Sequence, residues 1–305
     1  MCSRKAENIN GTGMEYVNIK AKDGLMLSAA VFEPDYSEPE GIMQIIHGAA
    51  EHKKRYFELA EFLCKNNYAV IVSDLRGHGA SVNDKYPLGF MDGIEEIIED
   101  QMLITRYIKN RYPDKKLVLF GHSLGSLIAR SYLKEHDDEI EKLILSGTVS
   151  YVKPAAVGVA VTELVTLVTG KYTCEKFAKF FNGSEADDSW VCSVPEVLDE
   201  VRNDPLCKKV YGNSALLTIC RADHELHNYE SYKCRNKGLK ILSISGSDDP
   251  VTGGTKGLKD TKETLRKIGY RNIKNIVYQG MRHEVINEYG KQQVYEDILE
   301  FIKND

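Results

Sequence analysis

Short apolar runs rich in β-branched residues alternate along the chain with longer segments in which apolar residues recur every three or four positions. The short runs predict strands, and the longer segments predict helices between most of them. The predicted strands cover residues 14–20, 25–33, 41–46, 69–73, 116–120, 142–146, 239–245 and 273–278. Strands and helices that take turns in this way indicate a mostly parallel sheet with helices on both faces, with the first two strands as an antiparallel edge.

The alternation breaks between residues 148 and 236. This interval is too long for an unstructured loop in a compact fold, and it has helical patterns of its own. One of them places Val157, Val161 and further apolar residues on one helical face. We therefore expect a core domain formed by residues 1–147 and 237–305, with residues 148–236 as a helical insertion over the sheet.

Composition and charge narrow the classes of function. The chain of 305 residues is 42% hydrophobic and 28% charged, which is typical of a folded domain. Its 40 basic and 45 acidic side chains give a formal charge of −5 without long blocks of one sign, so we expect no nucleic-acid partner. The segment "MCSRKAENINGTG" lacks the apolar core of a signal peptide, and no apolar run reaches the length of a membrane span, which predicts a cytoplasmic protein. The 7 cysteines form no Cys-x-x-Cys pair and indicate reduced thiols.

The segment Gly121-His122-Ser123-Leu124-Gly125 joins a predicted strand to a predicted helix. A serine on such a sharp turn needs small neighbours, because the backbone is strained and its flanks pack closely. The Ser123 hydroxyl would then lie at the start of a helix, where the peptide dipoles favour developing negative charge. A helix-capping serine with glycines in a loop is the alternative. The strand before it and the helix after it favour a nucleophile.

A serine nucleophile needs a base, and the base needs an acid that holds its tautomer. In folds with this turn the partners follow in the order serine, acid, histidine. Among the 8 histidines, His283 lies beyond the next-to-last predicted strand, in the loop before the final helix. The acid should lie in the loop "SGSDDPV", where Asp248 and Asp249 point in different directions. We expect Asp249 to reach the imidazole, although a turn-forming role is open to either residue.

Acyl transfer also needs backbone N–H groups that hold the carbonyl oxygen as it becomes negative. One donor should be the residue after the nucleophile, Leu124. The other should come from the loop "HGAAEH" after the strand 41–46, where small residues let the backbone approach a substrate. We expect Ala49 to be this donor, and we expect His47 to shape the loop rather than transfer protons.

The sequence offers few candidates for a metal or cofactor site. His224 and His227 lie one helical turn apart, a spacing that metal ligands use, but they lack the His-Glu-x-x-His order of zinc hydrolases. A solvated helix face is the simpler interpretation. No glycine-rich phosphate loop is present in the sequence, and we expect neither a metal nor a cofactor.

Several stretches together resemble a known family in the same order along the chain. They are "IIHGAAEHKKRYFELAEFL", "AVIVSDLRGHGAS", "LFGHSLGS", "ISGSDDPV" and "YQGMRHEVI". The family is that of α/β-hydrolases of the monoacylglycerol lipase and lysophospholipase type, also grouped as serine aminopeptidases S33 (Hydrolase_4). The resemblance implies an α/β-hydrolase fold with an eight-stranded mostly parallel sheet, flanking helices and a helical cap insertion. It also implies that Ser123, Asp249 and His283 are catalytic and that Ala49 and Leu124 are the oxyanion donors.

The family pattern carries further implications and two departures. It implies that "DLRGHG", residues 74–79, is a structural turn and that residues 148–236 form the cap, or lid. Residue 126 is Ser where the family usually has a second Gly. The first half of the cap matches no family segment, so the choice of substrate does not follow from the resemblance.

These features together predict a serine hydrolase that cleaves carboxylic esters through an acyl-enzyme intermediate. By resemblance the substrate is a small-molecule acyl ester such as a monoacylglycerol or a lysophospholipid, and no obligate protein partner is implied. The same triad would serve an aminopeptidase, for which Glu185, Asp187 and Asp188 could hold the substrate's ammonium group. A hydrolase-fold protein that binds a ligand without turning it over is a third hypothesis.

A cap over the catalytic edge would bring its apolar side chains to the acyl group or, transiently, to a lipid surface. The candidate substrate-binding residues are Val157, Val161, Phe177 and Phe180. Packing of these side chains on the main domain is the alternative.

Overall fold

The computed structural model describes residues 4–9, 12–34, 37–151, 155–172, 188–207 and 211–304. Within these residues one sheet contains nine strands, β1 to β9: Arg4–Ile9, Thr12–Lys20, Met26–Glu33, Gly41–Ile46, Tyr68–Ser73, Leu117–His122, Lys142–Ser146, Lys240–Gly246 and Asn272–Tyr278. The same described part contains eight α-helices, α1 to α8: Phe57–Lys65, Ile94–Arg111, Leu124–His136, Ala155–Thr169, Pro195–Asn203, Asn213–His224, Gly254–Ile268 and Lys291–Lys303.

The strands of the sheet follow the order β1-β2-β3-β5-β4-β6-β7-β8-β9. From β5 to β9 in this order all neighbours are parallel, whereas β2 and β3 are antiparallel to each other. The eight predicted strands all form, and the first two of them form the expected antiparallel edge. β1 adds a ninth strand, which pairs antiparallel with β2. Its sequence, "RKAENI", is mostly polar and gave no strand signal.

Both faces of the sheet are covered, and successive side chains of each central strand supply two different cores. In β6, Leu117 and Leu119 join the core that includes side chains of α2 and α3. Val118 and Phe120 join the core on the other face, which includes side chains of α1 and α8. Because neither face meets water, the central strands are mostly apolar, and this accounts for the nearly continuous apolar runs in the sequence.

Helices α4, α5 and α6 lie between β7 and β8, in the interval predicted to be a helical insertion. α6 packs against α4 and also contacts α2 and α3. On α4, Thr162 is fully buried, whereas Val157 and Val161 are 64% and 44% exposed. The apolar face of α4 is therefore open to solvent and is not packed on the main domain.

Within the described residues five cysteines are not joined in disulfides: Cys64, Cys192, Cys207, Cys220 and Cys234. Cys2 and Cys174 lie outside the described residues. Among the helices of the described ranges, none combines the length and the apolar character needed to cross a bilayer.

The segment from Asp74 to Gly79 is a turn held by buried charges. Asp74 accepts hydrogen bonds from the Lys53 N–H at 2.9 Å, the Lys53 ammonium at 2.5 Å and the Ala80 N–H at 2.8 Å. Arg76 donates two hydrogen bonds to Asp100 in α2, at 2.7 and 2.8 Å. These contacts fasten the loop after β5 to α2 and to the loop after β4.

The contact between α3 and β4 leaves no room for a side chain at Gly125. A Cβ there would lie 2.2 Å from the carbonyl oxygen of Ile46. We expect Gly125→Ala to lower the free energy of unfolding by about 3 kcal/mol, because backbone atoms must move apart. Urea unfolding followed by circular dichroism measures this change.

Gly158→Ala in α4 is the matched control. A Cβ at Gly158 meets only the Cys220 Sγ at an ordinary 3.6 Å. Since alanine is the better helix former, this variant should be as stable as the wild type or more stable, by up to about 1 kcal/mol. A Gly125→Ala protein with the unfolding midpoint of the wild type would show that the close approach does not exist.

Candidate active site

Ser123 lies on the turn between β6 and α3 with φ 50° and ψ −117°, a conformation that side-chain-bearing residues rarely adopt. Its N–H donates to the carbonyl oxygen of Ser146 at the end of β7, at 2.9 Å. A Cβ at Gly121 would lie 2.3 Å from the carbonyl oxygen of Gly125, so the turn closes only between glycines. Such a turn places the serine at the carboxyl end of the sheet.

Residue 126, the position that departs from the family pattern, is a buried part of the same region. The Ser126 hydroxyl accepts a hydrogen bond from the Val149 N–H at 3.2 Å. The Ser126 carbonyl accepts one from Arg130 Nε at 3.0 Å. The serine therefore joins α3 to the loop after β7, a contact that glycine would not make.

His283 and Asp249 lie in the loops after β9 and β8. His283 Nδ1 donates to Asp249 Oδ2 at 2.9 Å, and both side chains are buried. The other oxygen of Asp249 accepts the Val251 N–H at 2.8 Å. Asp248 is exposed, and its carboxylate accepts the Ser247 hydroxyl at 2.7 Å. The contact with the imidazole is thus made by Asp249 and not by Asp248.

His122, the residue before Ser123, contacts the catalytic candidate His283. The ring of His122 lies 4.6 Å from the His283 ring, measured between centroids. Gly147 makes room for both rings, because a Cβ there would lie 2.8 Å from His283 Cε1 and 2.9 Å from His122 Cε1. Within the described residues no hydrogen bond joins the Ser123 hydroxyl to His283; such contacts are often long before substrate binds. With Nδ1 bonded to Asp249, Nε2 is the nitrogen left to accept a proton.

The loop after β4 reaches the serine from the other side. A Cβ at Gly48 would lie 3.1 Å from Ser123 Cβ. The Gly48 N–H donates to Glu51 Oε1, and the Ala50 N–H donates to the Tyr211 hydroxyl oxygen at 2.5 Å. Between them, the Ala49 N–H meets no acceptor in the described part of the chain. It is therefore open to an oxygen from outside the protein.

Leu124 offers a second amide of this kind. It is the first residue of α3, and the N–H groups of a first helical turn have no acceptor within the helix. The Leu124 amide directly follows Ser123, so both sequence-derived oxyanion candidates border the serine.

Two buried histidines, His47 and His78, support the loop after β4. His47 donates from Nδ1 to the Gly48 carbonyl at 2.7 Å and accepts the Leu75 N–H at Nε2 at 2.9 Å. His78 donates from Nδ1 to the Arg76 carbonyl at 3.0 Å and accepts the Tyr211 hydroxyl at Nε2 at 2.8 Å. Burial lowers the pKa of His47 to about 3 and the pKa of His78 to about 4. Both rings are therefore neutral and structural at physiological pH.

The sequence did not point to Glu51, Gly147 or Tyr211. Gly147 directly follows a predicted strand at the catalytic edge, a signal that could have identified it. Glu51 and Tyr211 carry no such signal. Tyr211 meets Ala50 across 161 positions of the chain, and only the fold shows this contact.

Two of the four candidate substrate-binding residues, Val157 and Val161, lie within the described part of the chain, and both are exposed. Val157 and Val161 lie on the exposed face of α4, and Phe177 and Phe180 lie outside the described residues. Val157 and Val161 are therefore not part of a buried acyl-binding surface in this conformation.

Among the described side chains, His52, Asp204 and Cys207 come closest to a set of metal ligands, with their donor atoms within 4.8 Å of one another. However, His52 Nε2 and Asp204 Oδ2 form a direct hydrogen bond of 2.8 Å, which accounts for the pair without a metal ion. His227, which the sequence analysis considered with His224 as a possible metal ligand, hydrogen-bonds to Asp260 at 3.0 Å.

Comparisons with known proteins identify the family of this chain. The model of the family described as "Serine aminopeptidase, S33" matches residues 37–290. The monoacylglycerol lipase of Mycolicibacterium smegmatis is 26% identical over 286 residues, which cover 92% of this chain and 93% of the relative.

Solved structures are similar over nearly the whole chain. A thermostable carboxyl esterase from Bacillus coagulans aligns with a TM-score of 0.85 at 25% identity, over 95% of this chain and 97% of that one. The monoacylglycerol lipase of Paleococcus ferrophilus aligns with a TM-score of 0.71 at 22% identity, over 90% and 97% of the two chains. The predicted α/β-hydrolase fold is confirmed.

We expect the His47 and His78 imidazoles to stay neutral from pH 8 down to pH 5. In the unfolded chain a histidine has a pKa of about 6.5, so below that pH the unfolded chain binds more protons than the folded one. The stability that these rings contribute above about pH 6.5 is therefore lost as the pH falls towards their folded pKa values. Nitrogen-15 NMR of the imidazoles measures the protonation, and urea unfolding at pH 7 and pH 5 measures the stability. An NMR titration midpoint near pH 6.5 for either imidazole would contradict the conclusion that both rings are buried and neutral.

Proposed function

Because the chain belongs to the serine aminopeptidase S33 family of α/β-hydrolases, we propose that it cleaves carboxylic esters through an acyl-enzyme intermediate. It is a hydrolase of the lipase and esterase type. The observation that carries the proposal is the buried His283–Asp249 hydrogen bond beside a serine on a strained strand-to-helix turn.

In the proposed reaction, Ser123 Oγ attacks the ester carbonyl while Nε2 of His283 takes the hydroxyl proton. Asp249 holds the Nδ1–H of His283 and stabilises the imidazolium that forms. The N–H groups of Ala49 and Leu124 donate to the carbonyl oxygen as it becomes negative. When the tetrahedral intermediate collapses, His283 gives its proton to the leaving alcohol. Water then attacks the acyl-enzyme with His283 as base, which releases the carboxylic acid and restores the serine.

The substrates we propose are single-chain acyl esters, such as monoacylglycerols or lysophospholipids. Two similar proteins, from M. smegmatis and P. ferrophilus, are named monoacylglycerol lipases. In this proposal residues 148–236 form a cap on the core formed by residues 1–147 and 237–305. The exposed apolar face of α4 then offers Val157 and Val161 to an acyl chain or, transiently, to a lipid surface.

Contacts between the proposed cap and the catalytic loops support this division of the chain. Tyr211 accepts the Ala50 N–H, and His52 bonds to Asp204. On the other side, the carbonyl oxygen of Trp190 accepts the His283 N–H at 3.3 Å. The insertion therefore meets both the loop of the oxyanion donors and the loop of the base.

Peptide substrates are less well supported than esters. An aminopeptidase needs acidic groups that hold an ammonium ion, and Asp188 is the candidate that lies within the described residues. Its carboxylate accepts two hydrogen bonds from Arg202, at 3.1 and 2.6 Å, which engages both oxygens. Glu185 and Asp187 lie outside the described residues.

We expect a fluorophosphonate probe to label the wild-type protein and to fail on Ser123→Ala, which should also lose ester hydrolysis. Asp249→Asn should lower kcat by roughly a thousandfold or more, because the imidazole loses its tautomer and its counter-charge. Asp248→Asn is the matched control, and its exposed carboxyl predicts a kcat within about twofold of the wild type. Labelling of Ser123→Ala, or equal losses in the two asparagine variants, would remove these residues from the proposed roles.

The class of substrate is tested by comparing p-nitrophenyl esters of short and long acyl chains with an aminoacyl p-nitroanilide. We expect kcat/KM for the esters to exceed that for the anilide by about a hundredfold or more, and the long-chain ester to be the better of the two. Ser123→Ala measured on each substrate corrects for spontaneous hydrolysis. A preference for the anilide would overturn the ester proposal in favour of an aminopeptidase.

A further inference from the structure

A buried group of ionisable side chains adjoins the loop that carries Ala49. The side chains of Glu51 and Glu284 are 7% and 8% exposed, and that of Arg55 is 8% exposed. Glu284 directly follows His283 in the chain, so the group touches both the oxyanion loop and the loop of the base.

The one guanidinium of this group is bonded to Glu284 and not to Glu51. Arg55 donates from Nη2 to Glu284 Oε2. Its Nε lies 3.9 Å from Glu51 Oε2, beyond the range of a hydrogen bond. Glu51 is therefore a buried carboxyl without a directly bonded cation.

Glu51 instead accepts hydrogen bonds from neutral groups. Its Oε1 accepts the Gly48 N–H, and it accepts the Tyr56 hydroxyl at 2.7 Å. The carbonyl oxygen of a neutral carboxylic acid accepts both bonds as well, so the turn closes with Glu51 uncharged, although both bonds are stronger to a carboxylate. The first bond closes the turn from Gly48 to Glu51 and so fixes the direction of the Ala49 N–H between them.

Burial and a neighbouring carboxyl favour the neutral form of Glu51, against the opposing charge of Arg55. The described titratable groups near it are Arg55, Tyr56 and the adjacent His52 from its own segment, His122 from the end of β6, Glu284 from the loop after β9, and Glu200, Cys207 and Tyr211 from the insertion. His52 is paired with Asp204, and Arg55 is the cation that Glu51 and Glu284 share, so these two buried carboxyls repel each other when both are ionised. Burial and the Glu284 carboxyl raise the pKa of Glu51 to about 8.

We propose that Glu51 is a positioning residue for ester hydrolysis: as a neutral acid it holds the turn with the Ala49 N–H against Ser123, and once ionised it is drawn towards Arg55 and away from that turn. This inference rests on the proposed function of Ser123 and Ala49. Once ionised, Glu51 competes with Glu284 for Arg55. Because Glu284 adjoins His283, the competition disturbs both the oxyanion donor and the base.

The pH profile of kcat tests the role of the proton. In the wild type, kcat should fall about tenfold between pH 7 and pH 9, because a carboxyl with a pKa of about 8 goes from about nine-tenths to about one-tenth protonated. Glu51→Gln has no proton to lose and keeps an acceptor oxygen. It should retain at least about half of the wild-type kcat at pH 7 and show no such fall up to pH 9.

Glu51→Ala tests the positioning itself. Without an acceptor for the Gly48 N–H, kcat at pH 7 should fall about a hundredfold, as for the loss of an oxyanion donor, while KM changes less than about twofold. Rescue of kcat by glutamine but not by alanine separates this role from a general structural one. Circular dichroism and urea unfolding show whether each variant folds. If Glu51→Ala does not fold, the pH profile of Glu51→Gln alone tests the role of Glu51.

Glu200→Gln is the matched control. Its carboxyl lies 3.8 Å from the same Arg55 but is 76% exposed, so this variant should keep the alkaline fall of the wild type. Ester hydrolysis that persists in Ser123→Ala would overturn the proposed function itself. Suppose that hydrolysis depends on Ser123. The positioning role of Glu51 is then wrong if kcat of Glu51→Gln falls between pH 7 and pH 9 as it does in the wild type. It is also wrong if Glu51→Gln folds normally but is as slow as Glu51→Ala at pH 7.

Discussion

The close approach of α3 to β4 is the contact on which the rest of the site depends. At Gly125 the helix backbone lies so near the end of β4 that a single Cβ would meet the Ile46 carbonyl oxygen. β4 continues directly into the loop of Gly48 and Ala49, and α3 begins directly after Ser123. One backbone contact therefore sets the distance between the serine and the amide opposite it. It also holds Ser123 in a conformation that the residue would not adopt by itself.

Around this contact the protein surrounds the serine with buried polar groups that are neutral or paired. The imidazoles of His47 and His78 each donate one hydrogen bond and accept one, and burial disfavours their charged forms. Asp249 is bonded to His283 and to a backbone N–H. Under the proposed function, a charge that develops on a substrate oxygen in such surroundings would meet fixed dipoles rather than mobile counter-charges, the arrangement that favours acyl transfer.

The sequence predicted the parts of this structure that depend on local pattern. The strand runs and the glycines around Ser123 are readable because each depends on neighbours in the chain. Asp249 and His283 were predicted from the order of the partners in folds with this turn. β1 was missed because its polar sequence takes its strand form from pairing with β2. The Glu51–Arg55–Glu284 group was missed because its charge balance depends on Glu284, which lies more than two hundred positions from the other two.

Under the proposed function, the described part of the insertion contains stretches that are bonded to the catalytic loops and a helix, α4, that is not, and this difference affects how a substrate would be chosen. The stretches of the insertion that carry Trp190, Asp204 and Tyr211 are hydrogen-bonded to the catalytic loops, so a movement there would disturb the oxyanion donor or the base. Helix α4 packs on α6 instead, and its apolar face is open. A change of sequence on α4 can therefore alter the fit of an acyl chain without altering the geometry of Ser123, Asp249 and His283.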